Sequence, residues 1–446
     1  MEKEYHANGK TVGLYTLGCK VAQYETEAIG EAFMQHGFAL SDFGAVCDVY
    51  VINTCTVTAE SDRKSRQVIR RALRQNPGAI VMVTGCYSQR APDEVAGIGG
   101  VSVVIGTGDK LSLVRRAEEL LAGRDGGEEI GGCRISTTDV WQEEFEPMRV
   151  TRAPRTRAYV KIEDGCECRC SYCAISPARG RVRSKTPEDA IAEIEALYRS
   201  GTREVVLTGI EIGSYGKDLI PKCSLADLVL LLDEKKSCER VRLGSLAPEL
   251  IGEEFARKIA GAKILAPHFH ISMQSGSDAV LAGMRRRYTA ERALENIRRL
   301  KTLFPDAMFT ADLMVGFPGE SEEDFEKTLA FAREVRLLQA HVFAYSRRRG
   351  TPADEMPCQI PEPEKRRRSE ILIRECEKIK EELLGEVIRE GKPLSCVFET
   401  KEDGLWVGHS ASYIEVAAAS DDDLHGEMRD LIPLRYENGI LIGKIL

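Results

Sequence analysis

The sequence lacks a long apolar run, an export signal and an excess of positive charge. None of the 446 residues lies in an apolar stretch that approaches the roughly 20 residues needed to cross a bilayer. The first residues, MEKEYHANGKTVGLYTLGC, contain no basic segment followed by an apolar one. We therefore expect a soluble, cytoplasmic protein with no membrane partner.

The formal net charge of −8 argues against a generally cationic nucleic-acid binder. It leaves room for local basic patches. Taken singly, each basic cluster is equally well read as a solvated helix or loop face, but together they favour one folded basic patch. These clusters occupy residues 63–74, 179–185, 285–287, 347–349 and 365–368.

Alternating β-rich and helical segments from residue 11 predict a parallel α/β sheet. Each apolar strand ends in a cysteine, which places Cys19, Cys55 and Cys86 where three parallel strands run into loops. Their separations of 36 and 31 residues each match about one β-α-β unit. We expect the three thiols to meet at one site, the alternative being that they are small buried core residues.

A second alternating series begins near residue 157 and contains six strands separated by helices, which predicts a partial barrel. Short strands after residue 385 predict a small antiparallel barrel. The fold class is thus α/β, with an N-terminal parallel-sheet domain, a central partial (β/α)6 barrel and a C-terminal β-barrel. We place these domains at residues 10–121, 151–384 and 385–446, with a linker at 122–150.

The chain has 14 cysteines, four of them in the stretch GCECRCSYC. Cysteines of a cytoplasmic protein serve metals or catalysis more often than disulfides. Cys166, Cys170 and Cys173 form CxxxCxxC after the first strand of the predicted barrel. Three thiolates leave one iron of a four-iron cluster open for a substrate-like molecule. Zinc is the alternative, although structural zinc sites usually use two CxxC-like pairs or a Cys and His mixture.

The CxxxCxxC motif with its aromatic residue Tyr172 resembles the radical S-adenosylmethionine superfamily, in which the open iron binds that cofactor. Further stretches make nearly the whole chain resemble the methylthiotransferases. They are TLGCK (16–20), VINTCTVT (51–58), VTGCYSQ (83–89), ARGRVRS (178–184), LTGIEIGSYG (207–216), HISMQSGSD (270–278), VGFPGE (315–320) and HVFAYSRRRGTPA (341–353). YETEAI, SDRKSRQVIRRA and YSRRRGTPA are most similar to the branch that acts on threonylcarbamoyladenosine in tRNA.

This resemblance implies two four-iron four-sulfur clusters, one on Cys166, Cys170 and Cys173 and an auxiliary one on Cys19, Cys55 and Cys86. It implies two molecules of S-adenosylmethionine. One methylates a sulfur at the auxiliary cluster, and the other yields a deoxyadenosyl radical that removes hydrogen from carbon 2 of the adenosine. The product would be the 2-methylthio derivative of N6-threonylcarbamoyladenosine at position 37 of the anticodon loop.

The resemblance also implies cofactor contacts at Tyr172, Gly209 and Gln274, although the last two are equally well read as turn residues. We nominate no side-chain acid or base, because the cofactors carry the chemistry of an unactivated C–H bond. The implied partners are tRNA bearing threonylcarbamoyladenosine and a flavodoxin-type or ferredoxin-type electron donor. The sulfur source is unknown.

The sequence departs from the family pattern around both cysteine groups. Cys168 is predicted not to be a ligand, because the family has a non-ligand there and CxC spacing directs neighbouring side chains poorly at one cluster. The other departures are Ala22, Glu167, Arg169, Ser176, Pro177 and Ala247. They leave the six predicted ligands in place and bear on substrate or activity.

The last domain would be the small RNA-binding (TRAM-like) barrel of the family. From residue 386 onward it has 12 acidic and 6 basic residues, so we expect weak RNA binding there. Residues 63–74 and 347–349 are expected to contribute more. Trp406 and Tyr413 either stack on bases or pack in the core.

Two other functions stay open at this point. Sister branches of the family act on another tRNA adenosine derivative or on a protein side chain. A different class altogether is a zinc-stabilised RNA-binding protein without catalysis. Iron content separates that class from the enzymes.

Overall fold

The computed structural model describes residues 9–126 and 132–446. Within them the chain forms a parallel α/β sheet, a half-barrel and a small closed β-barrel, as the sequence predicts. No described helix combines the length and the apolar character needed to cross a membrane.

The N-terminal domain is a six-stranded parallel sheet with the order β2-β1-β3-β4-β5-β6. The two central strands, β3 and β4, are buried along their whole length because helices cover both faces of the sheet. The strands are β1 (Thr11–Thr16), β2 (Ala39–Ser41), β3 (Val49–Thr54), β4 (Ile80–Gly85), β5 (Val101–Ile105) and β6 (Arg134–Ser136). The helices are α1 (Lys20–Gln35), α2 (Ala59–Gln75), α3 (Cys86–Arg90), α4 (Pro92–Ala96) and α5 (Ser112–Asp125).

The central domain is a half-barrel made of two parallel sheets, β11-β10-β7 and β12-β13-β14-β15, joined by a bridge between Val241 and Leu265. A short antiparallel pair, β8 and β9, lies beside it. The strands are β7 (Arg157–Lys161), β8 (Glu163–Asp164), β9 (Arg183–Ser184), β10 (Glu204–Thr208), β11 (Arg240–Leu243), β12 (Ser245–Leu246), β13 (His268–Gln274), β14 (Met308–Val315) and β15 (Gln339–Ala344).

Helices with well-formed N-termini cover the outside of the half-barrel. Ser224 and Ser321 each form a capping box with an aspartate three residues later, which satisfies amides that the first turn leaves unpaired. The helices are α6 (Ile175–Arg179), α7 (Pro187–Arg199), α8 (Leu225–Lys235), α9 (Glu253–Ile259), α10 (Asp278–Gly283), α11 (Ala290–Leu303), α12 (Glu322–Val335), α13 (Pro352–Glu355) and α14 (Glu362–Glu390), with 3₁₀ turns at Ile212–Ser214 and Pro248–Leu250.

The C-terminal domain is a closed five-stranded barrel with the order β16-β17-β18-β20-β19. The prediction of a purely antiparallel barrel is wrong in one detail, because β18 and β20 pair in parallel where the barrel closes. The strands are β16 (Leu394–Glu402), β17 (Leu405–Ser410), β18 (Glu415–Ala419), β19 (Met428–Glu437) and β20 (Ile440–Ile445).

The segment predicted as a linker, residues 122–150, contains more structure than its composition indicates. Its described part includes the end of α5 and the strand β6, and it buries Met148 and Val150 in the main core. The linker was predicted from the glycine and acidic residues at 122–132, a composition that does not extend to the apolar residues near 150. The helix α14 also crosses the predicted boundary at residues 384 and 385.

The sequence predicts a single basic patch, and this prediction is wrong for several of the residues assigned to it. These side chains are buried and form internal ion pairs or hydrogen bonds, because each lies next to a carboxylate or carbonyl from another element. They are Arg179, Arg183, Lys185, Arg348, Lys365 and Arg368.

Arg242 joins the half-barrel to the C-terminal barrel. Its side chain is 2% exposed, and its Nε lies 2.8 Å from Glu204 Oε1. It also donates hydrogen bonds to the carbonyls of Ala411, at 2.9 Å, and Ser410, at 3.2 Å. The last domain is therefore docked through a buried charge and its hydrogen bonds.

We expect Arg242→Met to lower the free energy of unfolding by about 3–5 kcal/mol, because it leaves the buried Glu204 with one partner fewer. Urea-induced unfolding followed by circular dichroism measures this change. The matched control is Arg203→Met, which removes a half-exposed pair with Glu239 and should cost at most about 1 kcal/mol. Equal losses in the two variants would contradict the docking role.

Candidate functional site

The three strand-end cysteines of the N-terminal domain lie at one edge of its sheet. Cys19 precedes α1, Cys55 follows β3, and Cys86 begins α3 directly after β4. Because β1, β3 and β4 are neighbours, their carboxyl ends lie side by side. Burial raises the pKa of the Cys86 thiol to about 12, and the adjacent Cys55 and Cys19 thiols act in the same direction. The structure thus brings the three predicted thiols together.

Gly18 permits this close approach. Its φ of +115° lies in a region that favours glycine, and a Cβ at this position would lie 3.0 Å from Cys55 Cβ. Any larger residue would push Cys19 and Cys55 apart. The glycine before the first cysteine therefore helps to form the group.

Nitrogen donors surround the sulfur atoms of this group. Arg179 Nε donates a hydrogen bond to Cys86 Sγ at 3.2 Å, and the Val57 amide donates one to Cys55 Sγ at 3.5 Å. A nearby positive charge favours the thiolate over the thiol. Hydrogen bonds to cysteine sulfur are also one means by which proteins tune iron–sulfur clusters. Arg179 and the Val57 amide thus offset part of the effect of burial, which raises the pKa of Cys86 and Cys55.

Arg179 belongs to a buried ion-pair network between the N-terminal domain and the half-barrel. Its Nη2 lies 3.2 Å from Glu25 Oε2 on α1, and its Nη1 lies 3.1 Å from Asp164 Oδ2 on β8. Lys161 on β7 bonds to the same two carboxylates at 3.1 and 3.2 Å, and Lys110 lies 3.2 Å from Glu25. Burial opposes ionisation of Glu25, but these three cations outweigh it and hold the pKa of Glu25 well below its usual value.

The CxxxCxxC group lies in the loop that follows β8. The Cys166 amide donates to the Gly180 carbonyl at 3.0 Å, and the Cys173 amide donates to the Cys170 carbonyl at 3.1 Å. The Ile175 amide donates to Cys173 Sγ at 3.3 Å. The loop and its sulfur atoms are thus held by backbone hydrogen bonds.

A second arginine contacts this cysteine loop. Arg286 donates to Cys170 Sγ at 3.3 Å and to the Ser272 carbonyl at 3.2 Å, and its guanidinium lies 5.0 Å from the Tyr288 ring centre. Each cysteine group is therefore contacted by one guanidinium. The basic run at 285–287 is in part a component of this site.

Cys168 also lies within this loop. A hydrogen bond with Cys166 lowers the pKa of Cys168 to about 6. The neighbouring Arg169 has a left-handed backbone with φ of 49°, and its guanidinium lies over the Trp141 ring at 5.2 Å. The departure at Arg169 is therefore accommodated by contact with the preceding segment. That Cys168 is not a cluster ligand stays a prediction.

Three carboxylates near the loop each have a buried oxygen without a hydrogen-bond partner among the described residues. They belong to Glu163, Glu211 and Glu249. Burial raises the pKa of Glu163 well above its usual value and that of Glu211 to about 7. Buried acceptors of this kind suit the donor groups of a bound molecule.

The predicted cofactor contacts lie around the same loop, although their role stays a prediction. Tyr172 packs against a cluster that includes Met284 and Phe317. A Cβ at Gly209 would lie 2.5 Å from Glu163 Oε2, which explains the glycine there. Gln274 ends β13 with φ of 69°, a strained conformation that costs about 1–3 kcal/mol.

At two of the departures from the family pattern, Ala22 and Ala247, neighbouring groups supply polar contacts or charge. Ala22 lacks the amide that the family pattern places there, but its carbonyl accepts a hydrogen bond at 3.0 Å from Asn53 Nδ2. Ala247 is fully buried without a carboxylate. Two residues later, Glu249 supplies one whose charge acts on Cys168.

The aromatic residues of the last domain are used in packing. Trp406 is buried and donates its Nε1 to the Asp422 carbonyl at 3.0 Å. The Tyr413 ring stacks on His268 at 4.5 Å and contacts the Arg242 guanidinium at 5.1 Å. Core packing is confirmed for Trp406, whereas Tyr413 is half-buried and packs against polar side chains of the half-barrel.

Sequence reasoning missed Glu25, Asp164, Arg179 and Arg286. The first three lie in or beside stretches that carry the family resemblance. Their position in these stretches was the only sequence feature that could have identified them. A charged residue is usually expected to be exposed, whereas Glu25, Arg179 and Arg286 contact partners far away in the chain. Asp164 contacts the nearer Lys161 and Arg179.

The Glu25→Gln variant tests the buried network. It leaves buried cations with one carboxylate fewer, and we expect the free energy of unfolding near pH 7 to fall by about 3–5 kcal/mol. Because the folded-state pKa lies below the ordinary value of 4.5, the contribution of Glu25 is present above pH 4.5 and lost as the pH falls below it. Measured by urea unfolding, the free energy of unfolding should fall more between pH 7 and pH 4 in the wild type than in Glu25→Gln.

The matched control is Glu195→Gln, which removes a surface pair with Arg199 at 3.8 Å. It should cost at most about 1 kcal/mol and leave the pH dependence unchanged. A Glu25→Gln protein as stable as this control would contradict the network.

Two family models match the chain. The Radical SAM superfamily matches residues 160–332, and the Uncharacterized protein family UPF0004 matches residues 11–106. These ranges fall on the half-barrel and on the N-terminal sheet. Each matched region contributes one of the two cysteine groups.

Curated relatives match over most of the length. Threonylcarbamoyladenosine tRNA methylthiotransferase MtaB of Bacillus subtilis is 39% identical over 423 residues, which cover 94% of this chain and 92% of that protein. The Thermotoga maritima protein of the same name is 36% identical and covers 81% of each chain. A tRNA-2-methylthio-N(6)-dimethylallyladenosine synthase of Desulfitobacterium hafniense is 35% identical and covers 82% of this chain and 81% of that protein.

A solved structure has the same fold over most of the chain. It is the radical S-adenosylmethionine methyltransferase TsrM from Kitasatospora setae, with a TM-score of 0.57, 18% identity and 77% of each chain covered. The relatives of higher identity decide the assignment, because each of them matches at least 81% of this chain. The chain belongs to the radical S-adenosylmethionine methylthiotransferase family.

Proposed function

We propose that this protein converts N6-threonylcarbamoyladenosine at position 37 of tRNA to its 2-methylthio derivative. Relatives named for that activity are 36–39% identical over most of the chain. The observation that carries the proposal is the pair of three-cysteine groups, one at the edge of the sheet and one in the half-barrel. Arg179 bonds to Cys86 of the first group and to Asp164, two residues before Cys166 of the second.

The residues present fit two four-iron four-sulfur clusters. Each group offers three thiols, one guanidinium and one backbone amide directed at sulfur. In the described parts of the chain, no three metal-binding side chains are arranged to hold a single ion. A cubane cluster bonds its thiolates to different irons, so it requires a wider spacing than a single ion does.

Cys166, Cys170 and Cys173 would hold the cluster that binds S-adenosylmethionine, and Cys19, Cys55 and Cys86 would hold the auxiliary cluster. When bound, these groups supply the C–H activation and the sulfur that side chains cannot supply. The chain itself would hold the sulfur ligands, of which Cys55, Cys86 and Cys170 are buried. Glu163, Glu211 and Glu249 would offer unpaired carboxyl oxygens to the polar groups of a bound molecule.

We propose that exposed cations on two adjoining segments bind the tRNA backbone. The Ala59 amide at the start of α2 donates to Ser346 Oγ at 3.4 Å, which brings α2 next to the 347–349 loop. Lys64 and Arg349 are exposed on these segments. Contacts to phosphate come mainly from lysine and arginine.

The reaction also requires partners. We propose a flavodoxin-type or ferredoxin-type electron donor, because a reductively cleaved cofactor needs single electrons at low potential. We propose a cytoplasmic location, since the substrate tRNA is found there.

Nucleoside mass spectrometry tests the reaction. Anaerobically reconstituted protein with S-adenosylmethionine, a reductant and tRNA bearing threonylcarbamoyladenosine should give the 2-methylthio product. Cys55→Ala and Cys166→Ala should each abolish the product and lose about half of the bound iron. The control Cys223→Ala should retain product and iron, because Cys223 lies outside both groups.

Deoxyadenosine without the product would contradict the substrate and favour another adenosine derivative or a protein side chain. Bound zinc in place of iron would contradict the enzymatic function.

A double variant, Lys64→Gln with Arg349→Gln, tests the RNA surface. We expect weaker tRNA binding and a slope of log Kd against log salt that is reduced by about one for each charge removed. Fluorescence anisotropy at several salt concentrations measures both quantities. An unchanged salt slope would contradict this surface. Lys222→Gln with Lys263→Gln, on exposed loops of the half-barrel, is the matched control.

A further inference from the structure

The edge strand β15 exposes an aromatic side chain toward the inside of the half-barrel. Ala340 and Val342 pack against the main core, so the alternate residues His341 and Phe343 face the opposite side, which is the inside. Both of these residues are exposed, Phe343 by 46%. Within residues 9–126 and 132–446, Phe343 is the one phenylalanine, tyrosine or tryptophan that is exposed. Concave surfaces lined by aromatic side chains are where proteins commonly bind ligands.

Strand β14 connects this ring to the CxxxCxxC loop. In the parallel register, Met314 lies beside Phe343 and Asp312 lies beside His341. Met314 belongs to the apolar cluster against which Tyr172 of the cysteine loop packs. The Phe343 ring therefore lies one strand away from a side chain that supports the cysteine loop.

The segment that follows β15 contacts both cysteine groups. The Ala353 amide donates to the Ser171 carbonyl in the CxxxCxxC loop at 2.9 Å. Arg348 Nη2 donates to Thr56 Oγ1 at 2.6 Å, and Thr56 directly follows Cys55 of the N-terminal group. The strand β15 therefore leads into the junction between the two groups.

Hydrogen bonds fix the polar side chains around His341. His270 Nε2 lies 3.2 Å from Asp312 Oδ1, and His270 Nδ1 lies 2.8 Å from Thr310 Oγ1. Thr310 Oγ1 is also 2.9 Å from His268 Nε2. The ring centre of His341 lies 5.4 Å from that of His270, but the described parts of the chain contain no side-chain hydrogen bond of His341. The imidazole nitrogens of His341 are thus open to a ligand.

The two exposed side chains of β15 suit a purine that carries a polar substituent. Proteins commonly bind unpaired bases by stacking them on an aromatic ring, and every base offers a face for this contact. A neutral imidazole offers one hydrogen-bond donor and one acceptor. The proposed substrate has both complementary parts, an adenine ring and an N6 group that contains a urea, a hydroxyl and a carboxylate.

We propose that the nucleoside at position 37 binds on the inside face of β15, with its base stacked on Phe343 and its N6 substituent in contact with His341. This inference rests on the proposed function and names the residues that hold its substrate. Phe343 lies nearer the cysteine loop, and His341 lies about 6–7 Å further from it along the strand. Because carbon 2 and carbon 6 are separated by a ring nitrogen, carbon 2 faces the loop while the N6 group extends toward His341. Both residues bind the substrate and take no part in the bond changes.

Binding of anticodon stem-loop RNA to the iron-loaded, anaerobic protein tests the proposal without turnover. Three RNAs differ only at position 37, which carries threonylcarbamoyladenosine, adenosine or no base. We expect the wild type to bind the adenosine RNA about 10-fold more tightly than the abasic RNA, as for one stacked base. It should bind the threonylcarbamoyladenosine RNA about 10-fold more tightly again, as for a hydrogen bond to a charged group. Fluorescence anisotropy measures the three Kd values.

Phe343→Ala should weaken binding of both RNAs that carry a base by about 10-fold and leave the abasic RNA unchanged, whereas Phe343→Trp should retain the wild-type affinities. His341→Ala should weaken binding of the threonylcarbamoyladenosine RNA alone, by about 10-fold, because only that RNA carries the substituent. The matched control is Ile373→Ala, which removes a 41% exposed apolar side chain of α14 and should change none of the Kd values. Iron content is measured on each variant, so that loss of a cluster is distinguished from loss of binding.

An equal loss for all three RNAs in Phe343→Ala, or no loss for any of them, would overturn the stacking contact. An equal loss for the adenosine and threonylcarbamoyladenosine RNAs in His341→Ala, or no loss for either, would overturn the contact with the substituent. If the wild type nevertheless forms the 2-methylthio product, the proposed function stands and only this placement of the nucleoside fails. A wild type that forms no product and binds the three RNAs equally would overturn both.

Discussion

The contact between Arg179 and Cys86 is the interaction on which the rest of the site depends. A guanidinium without exposure to water must be paired, and Arg179 pairs at once with a thiol and Glu25 of the N-terminal domain and with Asp164 of the half-barrel. The two domains therefore fix each other's position. Loss of Glu25 or Asp164 leaves the buried cations with one carboxylate fewer, so the relative placement of the two cysteine groups depends on electrostatics as well as on packing.

This arrangement divides one reaction among three domains. The sheet edge supplies one sulfur-ligand group, and the half-barrel supplies the other. The last domain is docked on the half-barrel through the contacts of Arg242 with the Ala411 carbonyl and the Tyr413 ring. Its net negative charge matters less if the tRNA backbone contacts α2 and the 347–349 loop instead.

Much of this architecture could be predicted from the sequence, because apolar periodicity places strands and the cysteines follow strand ends. Cys19, Cys55 and Cys86 were found in this way, and the CxxxCxxC loop by its spacing. The buried roles of Arg179 and Arg286 could not be, since local sequence gives no sign of partners about one hundred residues away. The strand β6 was not predicted, because the surrounding composition is rich in glycine. Glu249 was not predicted, because it lies two residues after the position at which the family has a glutamate.

Electron paramagnetic resonance of the reduced, fully loaded protein tests most directly whether both cysteine groups hold clusters in one site. Two clusters held by the cysteine groups that Arg179 and Asp164 connect would be expected to interact through their electron spins. We expect the wild-type spectrum to differ from the sum of the spectra of Cys55→Ala and Cys166→Ala, each with its single remaining cluster. A wild-type spectrum equal to that sum, or one that contains a single cluster signal, would contradict it.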